Sequence, residues 1–325
     1  MDIKQKVLQI LEANRNSTIN GATLAENLSV SRNSVWKAVK SLQQEGYLIE
    51  AVTNKGYRLL PGNNILSAES ITPYLRKEAV DFILEVRQSV TSTNTVAKEM
   101  AAQGAKAGTV IISREQTAGR GRMGRSFYSP TDSGIYFSII LRPVISLEDS
   151  LLITTATAVA VAKAIETIAQ VKADIKWVND IYVSDKKVCG ILTEAAMNFE
   201  NGSLDYAVVG IGINIETKDF PSEIRNVAGS LFSDKPEDTP ISSLLTAEVL
   251  SNLAECMNSL TDKKYVDEYR RRSFLIGKDI YVIKGSKTTP AKAIAVDEKA
   301  RLIVEYEDNT QETLNSGEVS IRIQK

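Results

Sequence analysis

Residues 119–125 read Gly-Arg-Gly-Arg-Met-Gly-Arg, which sets Arg120, Arg122 and Arg125 among three glycines. Guanidinium groups at this density suit a phosphate or a carboxylate, because each offers a planar fork of donors. The first six residues also spell G-x-G-x-x-G. A dinucleotide loop of that spelling opens a helix directly after its third glycine, yet Gly124 is followed by RSFYSPTDSGIYFS, a proline and then a strand pattern. A kinase-type phosphate lid does lie between strands, but the chain has neither a catalytic-loop histidine nor D-F-G. What remains is a loop whose glycines let the main chain approach a ligand closely. Its three like charges and its ordering entropy predict a segment without structure of its own until an anion neutralises it.

Histidine is absent from all 325 residues, which excludes histidine triads, phosphohistidine relays and histidine-ligated metals together. Chemistry must run on Lys, Arg, carboxylates and hydroxyls. The two cysteines, Cys189 and Cys256, provide neither a disulfide framework nor a zinc site and are expected to be reduced core residues. At 43% hydrophobic and 24% charged residues the composition is that of a globular chain. No apolar run is expected to cross a bilayer, so a cytoplasmic protein with no membrane partner is expected.

The elements that must carry the loop follow from periodicity. IKQKVLQILEA has helical spacing, and TLAENL and SRNSVWKAVKSLQQEG form a helix-turn-helix pattern, the second helix opening at an N-cap serine and ending at Gly46. Two short strands around Asn54-Lys55-Gly56 complete a winged helix. Residues 1–60 hold eight Lys/Arg against five Asp/Glu, leaving the remainder at −4, so this module alone has the charge to meet a polyanion. The start of the second helix would enter the major groove, directing Ser31, Arg32, Asn33, Ser34 and Lys37 at DNA, with Lys55 of the wing reaching a phosphate. A protein-interaction role for the same module is the alternative.

LLPGNNILSAES is the linker signal, giving a DNA-binding domain over 1–62. Beyond it FILEV, TVIIS, GIYFSIILRP, DIKWVNDIYV, KKVCGILTEAAM and YAVVGIGINI read as strands, with helical patterns near 94–103, 148–169 and 242–260. Tight turns between neighbours predict a mixed or antiparallel sheet, an α+β arrangement over 63–272. Five short alternating strands over 273–325 predict a small β-barrel. Trp177 reads as core.

TSTN (91–94), EQTAGRGRMGRSF (115–127), KWVND (176–180), KKVCGIL (186–192) and GIGINI (210–215) occur together and in order. This combination resembles the biotin–protein ligases, and with the winged helix in front, the bifunctional members that also repress biotin genes. The resemblance implies a biotin/lipoate ligase-like central domain and an SH3-like C-terminal barrel. It implies ATP with Mg2+, biotin as substrate, a biotin carboxyl carrier protein as acceptor, operator DNA, and a homodimer when ligand is bound. Lys187, Arg122 and Asp180 would be catalytic. Ser92, Thr93, Asn94, Gln116, Gly119, Arg120, Gly121, Arg122 and Lys187 would hold biotin, while Arg120, Arg122, Arg125 and Asn214 would hold the adenylate. From the residues alone, Ser92, Thr93 and Asn94 equally read as helix caps, Lys187 as a solvated turn and Asp180 as a turn residue. No dedicated metal site is announced. Val178 and Phe127 depart from the proline and tryptophan usual at those places. A lipoate–protein ligase, or a regulator that senses a small acid without turning it over, are the rival readings.

Overall fold

The computed structural model describes residues 1–52, 55–146, 149–197, 204–315 and 319–323. Asn54 of the wing turn lies outside these. The chain forms two compact units, residues 1–80 with 234–248, and residues 81–233 with 249–325.

In the first unit, α1 (Ile3–Ala13), α2 (Gly21–Asn27) and α3 (Arg32–Gln44) are followed by the hairpin β1 (Ile49–Val52) and β2 (Gly56–Leu59) and a short α4 (Ala68–Ile71). Apolar residues at helical spacing make one core, in which Val7, Leu11, Leu24, Val35, Val39 and Leu42 are buried with Leu59 of the hairpin. Each of the first three helices opens on a side-chain cap: Asp2, Asn20 and Ser31 accept from the backbone of the following turn. This is the expected winged helix.

The second unit is built on a seven-stranded sheet. Its strands are β3 (Ile83–Arg87), β4 (Thr109–Ser113), β5 (Gly134–Leu141), β6 (Asp174–Lys176), β7 (Asp180–Val183), β8 (Lys186–Met197) and β9 (Leu204–Asn214), in the order β3-β4-β5-β9-β8-β7-β6. Only β3 and β4 run parallel, so the sheet is mixed and mainly antiparallel, as expected. The stretch DIKWVNDIYV, expected as one strand, is two, because residues 177–179 leave the ladder between β6 and β7.

Helix α5 (Thr93–Ala102) packs on one face of this sheet, its Ala97 and Ala101 against Ile111, Ile140 and Val208. Helix α6 (Ser150–Ala169) is buried on the other, with Thr154 donating to Thr193 of β8 at 2.7 Å. Contrary to expectation, α6 is long and apolar enough to cross a membrane; most of it is enclosed as a core helix instead. Helix α7 (Ile241–Asn258) begins in the first unit and ends in the second. Helix α8 (Lys264–Arg272), which periodicity did not announce, is anchored by the nearly buried Arg272 bridging Glu166 and Glu268.

Strands β10 (Asp279–Lys284), β11 (Lys287–Val296), β12 (Leu302–Tyr306), β13 (Gln311–Leu314) and β14 (Val319–Ile323) form an antiparallel C-terminal sheet ordered β13-β12-β11-β10-β14. Trp177 is buried, as expected of a core residue, and its indole donates to the Ala300 carbonyl in the β11–β12 turn at 3.0 Å.

Candidate active site and nucleic-acid interface

Strands β8 and β9 pair Gly190 with Gly212 and Leu192 with Gly210. Alternation puts these residues and Glu194 on one face, the face that carries α5. Three glycines there leave a bare floor. In the structure the protein's own groups occupy the room above Gly210 and Gly212. A Cβ on Gly212 would lie 2.4 Å from the Phe127 ring, and one on Gly210 would lie 1.9 Å from Asn94 Oδ1.

Lys187 reaches this floor through a β-bulge. The pairing shifts from Ile181–Cys189 to Tyr182–Lys187, so Val188 is an extra residue, and Lys187 is turned to the face shared by Asp180 and Gly190. Its Nζ lies 2.6 Å from Asp180 Oδ1 as an ion pair, and Lys187 is not the solvated turn residue that local sequence suggests. The backbone beside it is held by Val227 and Gly229, which exchange hydrogen bonds with Lys187.

The arginine segment has structure of its own, which corrects the expectation drawn from charge repulsion. Gly121 N–H donates to the Arg125 carbonyl at 2.7 Å, Phe127 N–H donates to the Gly119 carbonyl at 2.9 Å, and Arg120 bridges Ser126. Gly119 is the neck of this hairpin: a Cβ there would meet the Phe127 carbonyl at 2.4 Å. Arg122 is drawn inward and donates to Asn179 Oδ1 at 3.0 Å, while Asn179 is itself tied by two hydrogen bonds to Ile191. Burial lowers the pKa of Arg122, an effect offset in part by Asp180 and deepened by Arg125, though a guanidinium stays charged throughout. Arg120 reaches Glu194 at 3.3 Å. Arg125 is exposed.

A third group lies where α5 begins. Gln116 Oε1 accepts from the Thr93 backbone N–H at 2.8 Å, and its amide donates to Ser129 Oγ at 3.0 Å. Gln116 therefore caps α5, and Ser92, at the cap position, makes no side-chain cap bond. The capping alternative for Ser92 is thus set aside. Asn94 donates to Glu194 at 2.9 Å and accepts from Ser138, whose hydroxyl also lies 2.7 Å from that of Thr93. Burial alone would raise the pKa of Glu194; hydrogen bonds from Lys98 and Asn94, with the charges of Lys98 and Arg120, outweigh it and hold the carboxyl below its ordinary value. Asn214 ends β9, donates to the Gly229 carbonyl at 3.0 Å, and keeps a buried Oδ1 that has no hydrogen-bond partner among the described residues. A buried orphan acceptor of this kind is costly unless something donates to it.

Sequence reasoning missed four members. Asn179 sits inside the KWVND motif, and Glu194 continues the alternation from Gly190 through Leu192. Phe127 was noted only as a departure. Tyr269 of α8, fully buried and donating to the Val178 carbonyl at 3.1 Å, had no local signal. The Trp177–Val178 peptide is cis although Val178 is not a proline.

In the first unit Arg32, Asn33 and Lys37 are exposed on α3, and Lys55 is exposed beside the wing. Arg32 and Lys55 line one polar cleft of about 470 Å³ together with Tyr57. Ser31 and Ser34 are spent otherwise: Ser31 Oγ accepts from Ser34 N–H at 3.1 Å and lies 2.9 Å from the Ser34 hydroxyl, so both serve the helix cap.

Comparison with known proteins agrees with this division. Residues 4–58 match an HTH domain, residues 86–214 the biotin/lipoate A/B protein ligase family, and residues 275–322 the biotin protein ligase C-terminal domain. The bifunctional ligase/repressor BirA of Bacillus spizizenii is 33% identical over 94% of this chain and 95% of its own. The chain belongs to the bifunctional biotin–protein ligase/repressor family. Within this family, the Escherichia coli ligase/repressor is 26% identical over 93% of this chain and 92% of its own. Among solved structures, the Aquifex aeolicus biotin protein ligase in complex with biotin and ATP superposes with a TM-score of 0.62, at 26% identity, over 74% of this chain and 99% of that one.

Proposed function

We propose that this chain is an ATP-dependent biotin–protein ligase that forms biotinyl-5′-AMP, transfers biotin to a lysine of a biotin carboxyl carrier protein, and represses biotin genes through its winged helix with the adenylate as corepressor. The observation that carries the enzymatic half is the Lys187–Asp180 ion pair set on a glycine floor beside the inward Arg122. Attack of a carboxylate on the α-phosphate of ATP brings two anions together, and fixed cations lower that barrier electrostatically without any histidine. In this reading Asp180 aims Lys187 at the meeting oxygens, and Arg122, braced by Asn179, faces the same centre. Arg120 and Arg125 supply the outer charge. Ser92, Thr93, Asn94 and Gln116, with Gly119 and Gly121 shaping the hairpin, form the polar end that recognises the ureido ring of biotin. The unpaired Asn214 Oδ1 suits an adenine amino donor. Among the described residues no group of three or more acidic or thiol side chains could hold a metal, so Mg2+ would be held mainly by the nucleotide's phosphates, and no step is assigned to it.

The finer reading places the protein in the cytoplasm, with modules over 1–62, 63–272 and 273–325 and a ligand-dependent homodimer presenting two winged helices to a palindromic operator. Sedimentation with and without biotin plus ATP checks the dimer. Substrate choice is checked by pyrophosphate release. Biotin should support it and lipoate should not; release driven equally by lipoate would return the lipoate reading to favour.

A further inference from the structure

Helix α3 presents a tryptophan to solvent. Its core face is Val35, Ala38, Val39 and Leu42, all buried. Trp36 projects away from that core and is 49% exposed. It stands four residues after Arg32 and four before Lys40, so the three form one row along the helix, and Lys37 lies beside it in the same turn. Among the described residues Trp36 makes no ring or cation–π contact, and none of Arg32, Lys37 and Lys40 has an acidic partner. The half-exposed indole lies outside the buried core of this unit, and what sets it apart from an ordinary single surface hydrophobe is its place in a row between two cations without acidic partners.

The occupant that fits is set by charge and by shape. The flanking cations select a polyanion, and a helix of this width carrying them enters the major groove of duplex DNA. There the apolar feature at groove level is the thymine 5-methyl group; every other base edge offers hydrogen-bond donors and acceptors, to which the flat face of an indole contributes nothing. We infer that Trp36 is a specificity-determining residue of the winged helix that packs against thymine methyl groups in the operator, while Arg32, Lys37 and Lys40 hold phosphates or base edges around it. This rests on the DNA-binding half of the function above and adds the base that is read and the residue that reads it.

The test uses the full chain with biotin and ATP present, and duplexes enriched by it from a random-sequence pool. Affinities are measured for the parent, Trp36→Ala and Lys37→Ala over a range of salt, with each enriched duplex prepared in thymine form and with deoxyuridine replacing thymine, which removes only the methyl. The expected result is that deoxyuridine weakens the parent about tenfold, that Trp36→Ala loses a similar factor and becomes insensitive to deoxyuridine, and that its salt slope stays that of the parent. Lys37→Ala should do the opposite, flattening the slope and retaining the preference for thymine. Unchanged thermal unfolding of Trp36→Ala separates lost contact from lost fold. The inference is overturned if Trp36→Ala keeps both the parent's affinity and its deoxyuridine sensitivity. If the parent enriches no duplex and Lys37→Ala behaves identically, the DNA-binding reading fails, and this inference with it.

Discussion

The cations of the candidate active site and those of the exposed α3 and wing surface are treated in opposite ways, although elsewhere in the first unit Lys4, Arg15 and Arg58 are paired with acids. At the candidate active site the inward Lys187 is held by Asp180 at 2.6 Å and the inward Arg122 by Asn179 at 3.0 Å, and the more exposed Arg120 still reaches Glu194 at 3.3 Å. In the winged helix Arg32, Lys37, Lys40 and Lys55 have no acidic partner among the described residues. The difference follows from what each must do. Electrostatic catalysis requires charge fixed to within a fraction of an ångström before substrate arrives. Binding a polyanion requires charge that is free to exchange its counterions for phosphates. A paired cation is therefore a positioned one, and an unpaired cation is an available one.

The strongest way to break this comparison is to remove a matched cation. Lys187→Gln should reduce adenylate formation by on the order of 10²–10³ in kcat, measured by pyrophosphate exchange, while leaving DNA affinity without ligand unchanged. Salt separates the two classes next: each of Arg32, Lys37, Lys40 and Lys55 changed to Ala should flatten the dependence of log K for DNA on log salt by about 0.9, whereas adenylate formation should vary little over the same range.

Smaller effects sharpen the geometry. Gly212→Ala puts a methyl 2.4 Å from Phe127 and should cost about 1–3 kcal/mol in denaturant unfolding; combining it with Phe127→Leu should recover part of that loss. Ser31→Ala should cost about 1 kcal/mol of stability through loss of the α3 cap. A loss of sequence preference without loss of stability would instead show Ser31 reading bases. Last, the folded pKa of Glu194 is depressed, so its ion pairs stabilise the protein above the unfolded carboxylate pKa, and that contribution is lost as pH falls through the folded value. The acid limb of the parent's stability profile should be steeper than that of Glu194→Gln.

Much of this was legible in the chain. Helical periodicity and an N-cap serine located α3, and tight turns with alternating apolar residues located β8 and β9. The orientation of Lys187 was not, because a period of two puts it on the opposite face from Gly190; only the bulge at Val188 reverses it, and a bulge has no reliable local spelling. The order within the arginine segment was hidden for a similar reason. Counting its charges shows repulsion, but the acids and amides that relieve it, Glu194 and Asn179, come from distant positions on the sheet. Tyr269 is the extreme case, a ring carried to the site by a helix more than eighty residues beyond the KWVND turn it supports.

The central claim is that the Lys187–Asp180 pair and Arg122 make this chain a biotin transferase as well as a DNA-binding protein. Its most direct test is the mass of a biotin carboxyl carrier domain after incubation with the full chain, biotin and ATP, with pyrophosphate counted in parallel. The account predicts one biotinyl group on one lysine, one pyrophosphate for each group transferred, and neither product at a comparable rate with Lys187→Gln. A carrier of unchanged mass with the parent protein, or equal labelling by Lys187→Gln, would contradict it.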